Sequence, residues 1–227
     1  LWRNRRRTWL TSGGIAFAVW LLIFSISMQD GSFEVMVDNG ARLMLGHAQI
    51  QHPAYQDDPK MEFTIEGTGS LLARLADQPG VIAASPRAQG FALVSKGERS
   101  FGAQVIGVDA YEESRWSSLP EMVADGRYLE QSGEAVLGSV LARNLGVIEG
   151  DRIYLISAHG MLSPIGHLPA MKQFKVTGFF QSGMYEYDQT FAFIHIKDAQ
   201  RMLRIGDAVT GIDIRVGTGL FRFDGEG

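Results

Sequence analysis

The chain has 227 residues, 21 basic against 25 acidic side chains, a formal net charge of −4 and no cysteine. An acidic balance argues against a nucleic-acid partner, and a cysteine-free chain has neither disulfides nor thiolate metal sites. It begins at Leu1 rather than Met, which reads as a fragment of a longer protein.

The first element is Trp9–Met28 (WLTSGGIAFAVWLLIFSISM), which carries no charged residue. About 20 apolar residues at 1.5 Å rise span a hydrocarbon core of roughly 30 Å, and in lipid such a segment must be helical to satisfy its own backbone. Arg3, Arg5, Arg6 and Arg7 precede it, and Asp30 and Glu34 follow. The positive-inside rule then puts the N-terminus in the cytoplasm and the rest outside. Ser25 and Ser27 offer small residues for a cleaved signal peptide, but the apolar run exceeds the usual h-region of ~7–15 residues. Gly14 and Ala18, four apart, give one side of the helix the small-xxx-small spacing that lets another helix approach. Trp9, Gly14, Ala18 and Met28 mark the expected membrane anchor.

Gly31–Gly46 has apolar residues at helical spacing and reads either as a stalk continuing the membrane helix or as a separate amphipathic helix. His47–Gln51 alternates like a short strand, and Ala54–Gly69 is loop-like. Ser70–Gln78 is a helix capped by Ser70 and stopped by Pro79-Gly80. Val81–Arg87 and Gly90–Ser95 read as strands, with Lys96-Gly97-Glu98 turning into the strand Ser100–Gly107. Val108–Leu119 looks irregular and Gly126–Leu129 is an edge strand. The strand Glu134–Gly138, the helix Ser139–Leu145 and the strand Arg152–Ser157 follow. Ala158–Met171, rich in Gly, Pro and His, reads as an exposed loop. The strand Gln173–Phe180, a loop over Ser182–Asp188, the strand Thr190–Ile196, the helix Lys197–Leu203 and the strand Gly211–Val216 complete the pattern. Gly217–Gly227 has none and reads as a tail or linker.

No catalytic constellation emerges. The five histidines, His47, His52, His159, His167 and His195, contain no i, i+4 pair and no HExxH, and His195 reads as structural. Asp57-Asp58 and Glu112-Glu113 are adjacent carboxylates, which point opposite ways in an extended chain and read as solvated loops. There is no GxSxG and no phosphate-binding GxxxxGK[ST]. The expectation is therefore no enzyme activity, no metal and no cofactor. An apolar, Gly/Pro-rich stretch can instead be a contact surface: Met161, Leu162, Ile165 and Leu168, with Tyr185 and Tyr187, form a candidate loop for cargo or a partner. The alternative is that most of these side chains pack inside.

The order of several pieces carries a resemblance. RNRRRTWLTSGGIAFAVWLLIF, GHAQIQHPAYQDDP, VIGVDAYEES, GRYL, GEAVLGSVLARNLGVIEGD and FKVTGFFQSGMYEYDQTFAFI together resemble the FtsX-like permeases of ABC transporters, nearest the lipoprotein-releasing and macrolide-exporter-like group. The most telling piece is LG..LA..LGV..GD: Leu137-Gly138, Leu141-Ala142, Leu145-Gly146-Val147 and Gly150-Asp151. The resemblance implies an α+β fold, an N-terminal transmembrane helix followed by a two-lobed periplasmic domain. On the present boundaries, 1–30 is the basic end and anchor, 31–107 plus 183–216 an α+β lobe, 108–182 an inserted mainly-β lobe and 217–227 a tail. It further implies three later membrane helices and an inner-membrane location. The implied partners are cytoplasmic ABC ATPase subunits, a second permease copy or homologue, a periplasmic cargo or partner protein, and membrane lipid. The expected function is a permease subunit coupling a partner's ATP hydrolysis to movement or release of a lipoprotein, peptide or drug. The rival is a membrane-anchored periplasmic sensor or binding module without an ATPase.

Overall fold

The computed structural model describes residues 5–40, 48–53, 64–114, 117–163 and 166–216. Its contacts divide the chain into two units, Leu1–Ala41 and Arg42–Gly227. The first holds one helix, α1 (Arg5–Gly40). The second is a mixed α/β domain with the strands β1 (Ala48–Gln51), β2 (Val81–Lys96), β3 (Arg99–Val108), β4 (Val123–Gly126), β5 (Glu134–Gly138), β6 (Arg152–Ser163), β7 (Gly166–Phe180), β8 (Phe191–His195) and β9 (Gly211–Val216). Between them lie the helices α2 (Thr68–Ala76), α3 (Ala110–Ser114), α4 (Ser139–Leu145), α5 (Tyr185–Thr190) and α6 (Ile196–Leu203).

The strands pair in the order β1-β9-β2-β3-β8-β5-β7-β4, and β6 bridges β7 to β2. The pairs β2–β3, β3–β8, β8–β5, β5–β7, β7–β6 and β6–β2 therefore close a ring. Period-2 alternation turns one residue set from every ring strand to the same side. That set is Ala92 and Val94, Ala103 and Val105, Ala135 and Leu137, Ile153 and Leu155, Phe174 and Val176, Ala192 and Ile194, all buried in one cluster with α4 and α6. A second cluster collects residues of the opposite parity, Ile106, Val108, Val136 and Phe193, with Phe180, beneath Leu119 and Leu129. The ring draws β2, β3 and β8 from the stretches assigned to the first lobe and β5, β6 and β7 from the insert.

Several local expectations change. Val81–Arg87 and Gly90–Ser95 are one 16-residue strand, because β2 pairs with β9 up to Arg87 and with β3 from Ala88 onward. Pro86 sits in the β9-paired half, where the other edge is open and a missing N–H is tolerated. Ala158–Met171 is a β-hairpin rather than a loop, with Met161 opposite Leu168 and Ser163 opposite Gly166. The edge strand is Val123–Gly126 instead of Gly126–Leu129, and Ala110–Ser114 is helical. Ser182–Asp188 runs into the helix α5. Gly67, not Ser70, occupies the N-cap of α2, and the Ser70 hydroxyl donates back to the Gly67 carbonyl at 3.0 Å.

The LG..LA..LGV..GD element behaves as a unit. Leu141, Ala142, Leu145 and Val147 are buried. Gly146 closes α4 with φ +68, a left-handed conformation that favours glycine. The Asp151 carboxylate accepts the Ile148 N–H at 2.8 Å and pairs with Lys96, which also donates to the Gly146 carbonyl. At Gly138 a Cβ would overlap the Asp188 carbonyl of α5. Gly138→Ala is therefore expected to destabilise the chain by about 1–3 kcal/mol, as overpacking does. Equilibrium urea unfolding of the detergent-solubilised chain against wild type measures this.

Candidate functional site

Trp9–Ser32, 24 residues within α1, is long and apolar enough to cross a membrane. Its large apolar side chains are exposed, Trp9 and Leu10 at 78% each and the others through Met28 likewise. Phe17, Trp20 and Phe24 stack up one side at 5.8 and 5.9 Å. Gly14 and Ala18 lie one turn apart within the span, with open space at Gly14. Arg5, Arg6 and Arg7 stand in the first turn, while Arg3 lies outside the described residues. The helix does not stop at Met28. It runs without interruption to Gly40, as a continuation of the helix would over residues 31–40; residues 41–46 of that stretch lie outside the described residues.

The candidate contact residues do not form a single loop. Met161, Leu162 and Leu168 occupy backbone positions on the β6–β7 hairpin, and Ile165 lies outside the described residues. Tyr185 begins α5 and is 65% exposed. Tyr187 turns inward to stack on Phe191 at 5.2 Å and joins the second cluster. Missed from sequence was an exposed apolar face on the ring. Leu93 pairs with Ile156, which pairs with Met171, while Phe91 and Tyr154 share their side of the strands. Phe91 and Met171 are 71% and 59% exposed. The alternation in GFALVS, with Ala92 and Val94 buried, is the signal that could have revealed it.

Charge is buried at three places. Glu113, expected with Glu112 to be solvated, is fully buried. As α3 is helical, its neighbour faces out while Glu113 turns in and accepts from Arg87 Nη2 at 2.7 Å. Arg87 Nε lies 2.5 Å from Asp213 Oδ2. Burial pulls the Arg87 guanidinium down, but Glu113 and Asp213 outweigh it and hold it above its ordinary value. At the second place Asp198, on the first turn of α6, accepts from Ser132 Oγ at 2.7 Å and Gly133 N–H at 2.6 Å and pairs with Lys172. At the third, Glu134 receives the Arg127 fork and the N–H of Glu130 at 2.9 Å. Burial pushes the Glu134 carboxyl up, but the Arg127 fork and these N–H groups pull it down to about 2. His195 N-caps α6, accepting from the Lys197 N–H at 3.3 Å. Among the described residues, no group of three His, Asp or Glu side chains is placed to hold a metal ion.

One helix long and apolar enough to cross a membrane thus precedes a mixed α/β domain that holds paired buried charges. The chain matches the MacB-like periplasmic core domain family over residues 8–220 and belongs to that family. It is 27% identical over 212 residues to the lipoprotein-releasing system transmembrane protein LolC of Neisseria meningitidis, covering 92% of this chain and 49% of that protein. It is 29% identical over 206 residues to LolC of Xylella fastidiosa (89% and 47%), and 28% over 207 residues to LolE of Haemophilus influenzae (89% and 48%). The chain thus spans about half the length of the curated relatives it matches. Two solved structures share the fold at 12% identity. The extracellular domain of the noncanonic ABC-type transporter YknZ from Gram-positive bacteria covers 75% of this chain and 82% of its own at a TM-score of 0.51. The periplasmic region of MacB from Actinobacillus actinomycetemcomitans covers 77% of each at 0.52.

The apolar helix and the Glu134 site each have a measurable consequence. Leu21→Arg, near the middle of the span, is expected to make insertion less favourable by about 2.5–3.5 kcal/mol, measured by a glycosylation-mapped insertion assay. Glu134 is depressed in the folded state, so its stabilisation is present above the ordinary carboxylate range, near pH 4.5, and is lost as pH falls toward about 2. Glu134→Gln is therefore expected to be less stable than wild type at neutral pH, with the gap closing over that acid range in urea titrations.

Proposed function

We propose that this chain is the N-terminal part of a permease subunit of an ABC transporter, in which α1 crosses the inner membrane and residues 42–216 work on the periplasmic side. The observation that carries the reading is the family match, which takes in the apolar helix and the domain together. The relatives named as lipoprotein-releasing transmembrane proteins support it by aligning along nearly the whole chain. The arginines at the start of α1 favour a cytoplasmic N-terminus. In this reading the chain is not itself an enzyme. A separate cytoplasmic ABC ATPase supplies the energy, a second permease copy or homologue completes the membrane part, and the cargo is a lipoprotein, peptide or drug. The continuous helix from Arg5 to Gly40 suits a rod that passes movement outward.

The β6–β7 hairpin, with Met161, Leu162, Ile165 and Leu168, and the exposed Tyr185 are the surface proposed to meet cargo or a periplasmic partner. The test is gentle purification of the full-length protein from native membranes. Nucleotide-binding subunits are expected to co-purify, with ATPase activity that responds to cargo. The double variant Met161→Asp/Leu168→Asp is expected to keep the ATPase bound while lowering cargo release by tenfold or more, about 1.4 kcal/mol of interaction. A full-length protein that purifies alone and supports no ATPase response overturns the permease reading in favour of an anchored sensor.

A further inference from the structure

The Arg87–Glu113–Asp213 cluster sets two carboxylates against one guanidinium in a dry site. All three side chains are at or below 1% exposure. Register explains how they meet. Ser85 lies opposite Asp213 and Arg87 opposite Gly211 in the β2–β9 pair, so Arg87 and Asp213 are diagonal neighbours on one face. Glu113 comes down onto that face from α3, a helix of five residues. Gln49 faces Asp213 from β1, itself only four residues long and paired with β9 alone. Tyr128, from the segment after β4, faces Glu113, Arg87 and Asp109, the residue immediately before α3. Glu113 Oε2 and Tyr128 Oη are buried without a hydrogen-bond partner among the described residues.

With both carboxylates ionised the set carries one net negative charge that no solvent screens. Taking up one proton brings it to neutrality, and in a low-dielectric site that difference is large. The elements that depend on the cluster, α3 and β1, are the short peripheral ones and thus the first to open. We propose that the Arg87–Glu113–Asp213 cluster is a proton-operated latch, which clamps α3 and β1 onto the β2–β9 end of the sheet in mildly acid medium and loosens them at neutral to alkaline pH. It stands independently of the permease reading.

The sign is consistent with the surroundings of Asp213. Burial raises its carboxyl, Arg87 pulls it down, Glu113 pushes it up, and the balance lies at about 6. A group raised on folding gives its stabilisation below its unfolded value, and this is lost as pH rises through the folded one. The test is hydrogen exchange of the full chain in detergent at pH 5.0 and 7.5, corrected for the intrinsic pH dependence of exchange. Protection of the peptides covering 48–51 and 110–114 is expected to fall about tenfold between the two pH values, with strands β5 and β7 unaffected. Asp213→Asn is expected to abolish the fall. Glu113→Gln, which removes the repelling carboxylate, is expected to shift it to lower pH. Equal protection in wild type at both pH values, a fall that survives in Asp213→Asn, or an unmoved transition in Glu113→Gln overturns the latch.

Discussion

The fold depends on β2 changing partners along its length. Its first half is held by β9, and its second half lies between β3 and β6. A buried strand with an open edge leaves backbone N–H and C=O groups stranded. The β6–β2 pairing at Leu93–Ser95 removes such an edge by closing the ring, and closure is what lets one residue parity from six strands become a single interior. Because that interior is filled by Ala at some levels and by Leu, Ile or Phe at others, small and large side chains interdigitate across it. Two glycines of close approach, Gly107 against Ala199 of α6 and Gly138 against α5, let helices lie directly on strands of the ring.

Local signals were legible where a unit closes on itself. Glu134–Gly138, Ser139–Leu145 and Gly211–Val216 stand at the expected residues. The first two are set by a short apolar run, a helical apolar set and a left-handed glycine close together in the chain. The family resemblance rested on that same unit, and it holds at family level. What misled was composition. Gly, Pro and His between Ala158 and Met171 suggest a loop, but the strands there are fixed by each other, through pairs such as Leu162 with His167, rather than by propensity. The division of β2 into two strands failed similarly, since what joins its halves is a change of partner that no local pattern records.

The buried charges were invisible for a different reason. Adjacent carboxylates point apart in an extended chain, and the same geometry in a helix sends one outward and the other in. Which one is buried depends on Arg87, 26 residues earlier, and on Asp213 at the far end of the domain. Sequence reading finds ion pairs at helical spacing and misses those made across a sheet. Desolvation offsets much of the attraction within a buried ion cluster. The Arg87 cluster also fixes register: a one-residue slip of β9 on β2 would turn Asp213 to the opposite face from Arg87.

The helix α1 poses the complementary problem, an element whose large apolar side chains are exposed. Thirty-six residues at 1.5 Å rise make a rod of about 54 Å, longer than a hydrocarbon core of roughly 30 Å. The apolar stretch Trp9–Ser32 accounts for about 36 Å of that length, which fits a modest tilt. The surplus lies at both ends, residues 5–8 with three arginines and residues 33–40 with Glu34, charges that no hydrocarbon would accept without a partner. A helix that continues past the apolar stretch without proline keeps its backbone bonds through the headgroup region. Axial rotation or tilt of such a rod is therefore not absorbed at a hinge before Gly40. In the proposed permease, the small residues Gly14 and Ala18 are where another helix would press close enough to turn it.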